Sequence, residues 1–263
     1  HNYLGMIGIP IDLVPEFPSE APMILLTECA SFDPGIVGKI KKQLIDGKSV
    51  TITSGLLRAL QGKGIEDIAE MRATGRKAIL KGFRGQGALA PDVRILIPQI
   101  QYLTNDAWEL VSGMTQNDLG YPLLIQAGYA KGALYVLIVP ENFSDLYSFP
   151  APILTQISNT LLRDLYVRLE SPGDVCLFVY DNNTFIVESF LPEIVDVRIS
   201  LDPAFSGVRD VVTGIELSGQ AAGGFAGGFG FGMGGGKRMV FPVQIKPHSY
   251  RVFAAAASPS KAR

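Results

Sequence analysis

Two apolar runs joined by an amphipathic stretch, all within residues 23–53, constrain this chain more than any other feature. The first run, Met23-Ile24-Leu25-Leu26 after Pro22, is short, continuous and bounded by turn residues, the pattern of a strand covered on both faces. Asp33 and Pro34 then read as N-cap and first helical residue. Ile36, Val37, Ile40 and Leu44 recur at helical spacing, and Lys39, Lys41 and Lys42 opposite them form a solvated face. Gly47 stands where a helix-ending glycine belongs, and residues 49–53 make the next strand. A right-handed crossover with such short connections pairs the two strands in parallel. The same alternation continues to residue 165. Residues 2–17 read as the end of a helix running into a strand at 11–14, and 65–71 as a short helix. Residues 94–97 read as a strand, and 123–126 and 134–139 as strands around a turn at 128–132. Residues 153–165 then read as a helix with Ile153, Ile157, Leu161 and Leu165 on one face.

The pattern changes near Tyr166. From there the chain shows short strands and turns with no helical period. Residues 175–180 and 185–190 flank Asp181-Asn182-Asn183-Thr184, which has hairpin-turn chemistry. Val195, Val197, Ile199 and Leu201 alternate with polar neighbours, and residues 240–245 and 249–253 close the series. Strands at such spacing predict a β-sandwich. Two domains follow: an α/β layer over 1–165 and a sandwich over 166–253. The second carries a glycine-rich loop at 219–236, and a small, polar, disordered tail occupies 254–263.

Composition excludes several classes. A hydrophobic content of 47% is too high for a disordered chain, and a net charge of −2 offers no attraction to nucleic acid or an anionic membrane. No apolar run reaches the ~20 residues needed to span a bilayer, and residues 1–10 lack the basic start of a signal peptide. Cys29 and Cys176 fall in different predicted domains, and the only histidines are His1 and His248. Neither a disulfide framework nor a cysteine- or histidine-based metal site is expected, and no cofactor.

Candidate chemistry is sparse. Cys29 follows a buried strand and precedes a helix, where an α/β enzyme holds a nucleophile. Its setting, Thr27-Glu28-Cys29-Ala30-Ser31, lacks the glycines of a nucleophile elbow, and no base accompanies it. Ser54 reads as a helix N-cap rather than an anion site. The run Gly82-Phe83-Arg84-Gly85-Gln86-Gly87 lacks dinucleotide-binding spacing, and the run at 223–236 ends in Lys237 without a following Ser or Thr. Glu28, Asp33, Glu66, Asp67 and Glu70 show no pattern, and read as helix caps and solvated faces. Trp108 reads as a core or interface residue. Phe225, Phe229 and Phe231 in the glycine-rich loop are the candidates for docking on a partner or a sugar.

Ala21-Pro22-Met23-Ile24-Leu25-Leu26, the stretch from Leu44 through Gly47 to Thr53, and Gly128-Tyr129-Ala130-Lys131-Gly132-Ala133-Leu134-Tyr135-Val136 together resemble a class I glutamine-amidotransferase-like domain. It is the trimerisation domain of β-galactosidases. Val208-Arg209-Asp210 onward to Leu217, with Pro247-His248-Ser249-Tyr250-Arg251-Val252-Phe253, resembles the small C-terminal sandwich of glycosidases. The resemblance implies a flavodoxin-like (glutamine-amidotransferase-like) α/β layer plus an all-β sandwich, with the amidotransferase chemistry lost. It implies an accessory or assembly module of a carbohydrate-active protein, soluble, in the cytoplasm or secreted. Its partners would be further copies of itself, in a homo-oligomer, or a catalytic glycosidase domain or subunit. The catalytic barrel has no counterpart here, and the layer lacks its first strand, as in a fragment or one part of a split protein. Two alternatives stand beside this reading. One is a glycosidase-like or amidotransferase-like hydrolase built on Cys29 or scattered carboxylates. The other is a carbohydrate-binding module using the aromatic loop.

Overall fold

The computed structural model describes residues 3–89, 93–103, 106–221 and 238–258. They are mostly β. The chain divides into two compact units: Asp12–Leu146, and His1–Ile11 together with Tyr147–Arg263.

The first unit contains β1 (Met23–Leu26), α1 (Ile36–Ile45), β2 (Ser49–Thr53), α2 (Ser54–Leu60), β3 (Met71–Leu80), β4 (Gly82–Phe83), β5 (Gly87–Ala88), β6 (Ile95–Tyr102), β7 (Ala107–Met114), β8 (Gly120–Tyr129) and β9 (Gly132–Leu137). Seven strands form one sheet in the order β1-β2-β9-β8-β7-β4-β5. The pairings β1–β2 and β2–β9 are parallel, and those beyond β9 are antiparallel. A separate two-stranded antiparallel ribbon joins β3 to β6. Every residue of β2 is buried, as expected of a strand with parallel neighbours and cover on both faces.

Helix α1 turns Ile36, Ile40 and Leu44 inward. Its start is held by Asp33, whose Oδ1 accepts from Gly35 N–H at 2.8 Å, so Gly35 rather than Asp33 is the cap and the helix opens at Ile36. Its end is set by Gly47 at φ 82°, a left-handed conformation natural to glycine. There Gly47 N–H donates to Leu44 O and Lys48 N–H to Gln43 O, each at 3.1 Å. The start of β9 lies close under this turn. A Cβ on Gly132 would run into Lys48 O and sit 2.7 Å from Leu44 O.

Three expectations fail in this unit. Residues 11–14 form no strand, and Leu13 is 87% exposed. Pro10 and Pro15 flank the stretch, and proline supplies no ladder donor. The helix expected at 65–71 is a single turn, Ile65–Asp67, entered through Gly64 at φ 96° and followed by β3. Ser54 is not a cap: Thr53 Oγ1 accepts from Leu56 N–H at 3.3 Å, and buried Ser54 Oγ accepts from Val139 N–H at 3.2 Å.

The second unit contains α3 (Ala151–Leu161), β10 (Val167–Glu170), β11 (Val175–Val179), β12 (Thr184–Ser189), β13 (Val195–Leu201), β14 (Phe205–Asp210), β15 (Gln220–Ala221), β16 (Met239–Ile245) and β17 (Ser249–Ala257). They form two four-stranded antiparallel sheets, β10-β13-β16-β15 and β11-β12-β17-β14. Alternate residues of both sheets bury into one core that includes Leu177, Phe185, Ile199, Phe241, Ile245 and Phe253. Each such side chain contributes roughly 1.5–3 kcal/mol through burial. Phe185 and Phe253 face each other across the β12–β17 ladder with ring centroids 5.4 Å apart. The β11–β12 turn uses Asn183 at φ 63° and Asn182 Oδ1, which accepts from Thr184 N–H.

Two part-buried arginines tie this unit together. Arg168 donates to Leu162 O, Arg163 O and Asn159 Oδ1, satisfying carbonyls left open where α3 ends. Arg238 donates to Tyr166 O at 2.9 Å and to Ser200 Oγ and O at 3.0 Å each. Burial, with the charge of Arg168 nearby, pushes Arg238 down to about 10. A third arginine, Arg251, places Nε and an Nη 2.8 Å from Oδ2 of buried Asp210. Asp210 Oδ1 meanwhile accepts from Val212 and Thr213 N–H.

The N-terminal stretch read as a helix of the α/β layer is instead a set of turns within this second unit. Leu4, Ile7 and Ile9 are buried, and Ile7 bridges Val175 in parallel. Three apolar residues within six positions fit a segment laid along a sheet edge as well as a helix end. The stretch read as tail begins as strand. β17 continues to Ala257, with Ala254 paired to Arg209 and Ala255 to Val208, because ladder bonding uses the backbone and small side chains do not interrupt it. Residues 259–263 and most of the glycine-rich loop (222–237) lie outside the described residues.

Candidate functional site

The candidate site is a groove of about 550 Å³ in the first unit, between α1 and the irregular segment that precedes β1. The segment supplies Pro15, Glu16, Phe17, Ser19 and Glu20. Helix α1 and its flanks supply Asp33, Lys39, Lys42, Gln43, Asp46 and Lys48. The helical period places Lys39, Lys42 and Gln43 along one side, and Asp33 and Asp46 stand beyond the two ends.

The charges are paired in sequence around the groove. Lys39 Nζ lies 2.7 Å from Asp33 Oδ2 and 5.9 Å from the Phe17 ring centre. Lys42 Nζ lies 2.5 Å from Asp46 Oδ2. Lys48 Nζ donates to Ser19 O and stands 3.9 Å from Glu20 Oε2. Buried Gln43 donates to Ala21 O at 2.7 Å, fastening the segment to the helix. The hydrogen bond from Lys39, helped by Gly35 N–H, holds the Asp33 carboxyl below its usual value. The bond between Lys42 and Asp46 raises the ammonium and lowers the carboxyl. Asp33, Lys42 and Asp46 therefore keep their charges at neutral pH. Sequence periodicity finds the lysines but reads them only as a solvated face. The segment opposite has no regular structure, and no periodic signal announces it.

Other candidates are placed elsewhere. Cys29 is exposed in the turn Glu28–Phe32, and its unit, residues 12–146, contains no histidine. Glu28 lies over the first turn of α2, where a Cβ on Gly55 would meet its Oε2 at 2.7 Å, and it pairs with Arg58 at 3.6 Å. Glu66 Oε1 accepts from Gly62 N–H at 2.7 Å. These acidic residues serve local structure, and among the described residues no three His, Cys, Asp or Glu are grouped to hold a metal ion. Residues 82–87 form β4, a turn and the start of β5, and among the described residues the next element is strand β6, not a helix that could cradle a phosphate. Trp108 on β7 is half exposed. Phe225, Phe229 and Phe231 lie outside the described residues.

The cysteines differ sharply in setting. Cys176 is buried, with Sγ 3.6 Å from Met6 Sδ. Burial, with the carboxylates of Glu188 and Asp174 adding to it, pushes its thiol up to about 11. A disulfide-exchange reagent at pH 8 is expected to titrate one thiol in the folded chain, Cys29, and the second only after denaturation. Two fast thiols in the native state would contradict the burial of Cys176.

Comparison with known proteins agrees in part with this architecture. Residues 1–142 match the family model described as "Uncharacterized protein SSO3021, second domain", and residues 166–255 match "Probable glycosyl hydrolase, C-terminal domain". No curated protein matches the chain. Among solved structures, a β-galactosidase from Bacillus circulans sp. alkalophilus aligns at 14% identity and TM-score 0.47, covering 97% of this chain and 36% of that one. A β-galactosidase from Rahnella sp. R3 aligns at 11% and 0.47, covering 96% and 35%. Cytoplasmic Protein STM1381 from Salmonella typhimurium LT2 aligns at 12% and 0.40, covering 61% and 78%. The chain thus spans about a third of the length of the β-galactosidases it resembles. Among the described residues no helix is long and apolar enough to cross a membrane.

Proposed function

The chain belongs, over residues 1–142, to the family described as the second domain of uncharacterized protein SSO3021, and we propose that it is a non-catalytic assembly module of a glycoside-hydrolase-like protein. The observation that carries the reading is the match of the sandwich, residues 166–255, to the C-terminal domain of a probable glycosyl hydrolase. The first unit is read as an amidotransferase-like layer. The parallel order β1-β2-β9, with α1 between β1 and β2, supports that reading, and an antiparallel extension from β8 to β5 completes the sheet. The layer's partner is a second copy of the chain or a catalytic glycosidase domain. Leu13 and Phe32, 87% and 88% exposed, are the apolar side chains of the first unit on which such a contact is tested.

Size-exclusion chromatography with light scattering tests this. A stable dimer or trimer is expected, and Leu13→Ser with Phe32→Ser is expected to reduce it to monomers without changing the thermal midpoint of the monomer. A wild-type chain that stays monomeric, and that also fails to associate with an added catalytic domain of a β-galactosidase, would sink the assembly role. Turnover of aryl glycosides by the purified chain would sink the non-catalytic one.

A further inference from the structure

We propose that the groove between α1 and residues 15–20 is a binding site for a neutral sugar residue. Its volume, about 550 Å³, falls within the roughly 300–1,000 Å³ typical of small-ligand sites.

The lining decides the class of ligand. Four carboxylates, Glu16, Glu20, Asp33 and Asp46, stand with three ammonium groups, Lys39, Lys42 and Lys48. An anion entering would meet the carboxylates and a cation the lysines, and the net charge of the lining is only −1, so the mixture of signs favours a neutral molecule. The pairs are also fixed before any ligand arrives. Asp33 is held by Gly35 N–H and Lys39, Lys42 by Asp46, and Lys48 by Ser19 O. Held groups lose little freedom on binding.

Each of them keeps unused capacity. A carboxylate accepts up to about four hydrogen bonds and an ammonium donates three, and these pairs use only part of that number. Acceptors and donors therefore alternate over short distances. A ligand suited to such a surface must donate to a carboxylate and accept from the neighbouring ammonium through adjacent atoms. Vicinal hydroxyls do both, because each hydroxyl is donor and acceptor at once. Phe17, the aromatic residue in the lining, offers an apolar surface for the C–H face of a pyranose ring. The inference takes from the proposed function only the choice of sugars to try first.

The test is a titration of the full-length chain followed by amide nitrogen–proton spectra. Lactose and cellobiose serve as neutral probes, with glucuronate and glucosamine as charged comparators, all at millimolar concentration. Neutral sugars are expected to shift the amides of residues 16–20 and 33–48 in a saturable way, and the charged sugars are not. Lys39→Met and Asp46→Asn each remove one charge-assisted hydrogen bond to the ligand and are expected to weaken binding roughly tenfold. Both positions are substantially exposed, so thermal midpoints near that of wild type are expected to certify the fold. No saturable shift with either neutral sugar overturns the proposal, as do equal shifts with glucuronate or glucosamine. Scattering mass read on the same samples separates the two ideas. An oligomer without shifts ends the sugar site and leaves the assembly role, whereas a chain that binds neutral sugar, stays monomeric and ignores an added catalytic domain does the reverse.

Discussion

Asp210→Ala is expected to destabilise the second unit by about 3–5 kcal/mol, the range for breaking a buried ion pair from one side. Asp210 is 2% exposed; it accepts hydrogen bonds from Arg251 Nε and from the N–H groups of Val212 and Thr213, and a second Arg251 nitrogen stands 2.8 Å from its Oδ2. Removing it leaves two backbone donors unmatched and strands the guanidinium against Phe253, whose ring centre is 5.1 Å from Arg251 Cζ. Urea unfolding followed by a β-sheet signal measures the loss. A drop below about 1 kcal/mol would mean that water replaces the carboxylate, as at an exposed pair.

The same carboxyl makes a pH prediction. Burial would raise it, but the Thr213 N–H and the Arg251 guanidinium more than offset this, and the Asp210 pKa lies below its ordinary 3.8. A group lowered by folding stabilises fully above its unfolded value. That contribution fades as pH falls through the folded value. The second unit should therefore lose stability on acidification below about pH 4, and Asp210→Asn should flatten this acid limb while lowering the plateau.

Gly132→Ala carries the other large effect, about 3 kcal/mol or more, from overpacking against backbone. The added methyl would meet Lys48 O, Leu44 O at 2.7 Å and Leu44 Cα at 2.8 Å, none of which can turn aside as a side chain can. The damage falls where α1 ends and β9 begins, so pairing of β9 with β2 should weaken together with α1. Gly128→Ala on the same hairpin meets nothing within 4 Å and is the matched control, expected to stay within about 0.5 kcal/mol of wild type. Thermal midpoints of the two variants decide the matter. Equal midpoints would show that α1 and β9 separate freely by a few tenths of an ångström.

What could be read from the residues follows from whether their pattern is periodic. Ile36, Ile40 and Leu44 with Gly47 after them announce α1, and Val195 to Leu201 announces β13, because one face of each is buried throughout. Strand β3 was invisible. Its register shifts between Ala73 and Lys77, so no single alternation spans Met71 to Leu80, and Gly75 sits inside it at φ 74°. Strand β7 carries two such irregularities near Val111 and hides for the same reason. The groove was half legible. Its lysines lie on a periodic helix. Glu16, Phe17 and Ser19 lie on a segment tied down by hydrogen bonds from Gln43 and Lys48, which leave no mark on hydropathy. The aromatic loop at Phe225, Phe229 and Phe231 lies outside the described residues, and its reading is unchanged.

The second unit is assembled from two stretches of chain with the whole of the first unit between them. Leu4, Ile7 and Ile9 are translated before residues 12–146, yet the strand edge that Ile7 bridges exists only once Val175 has been made. Three apolar side chains must therefore wait in the nascent chain through the synthesis of an entire neighbouring unit. In that interval they are the natural grip for a chaperone and the natural seed for aggregation, so the route of folding of the second unit is vulnerable first at these three side chains.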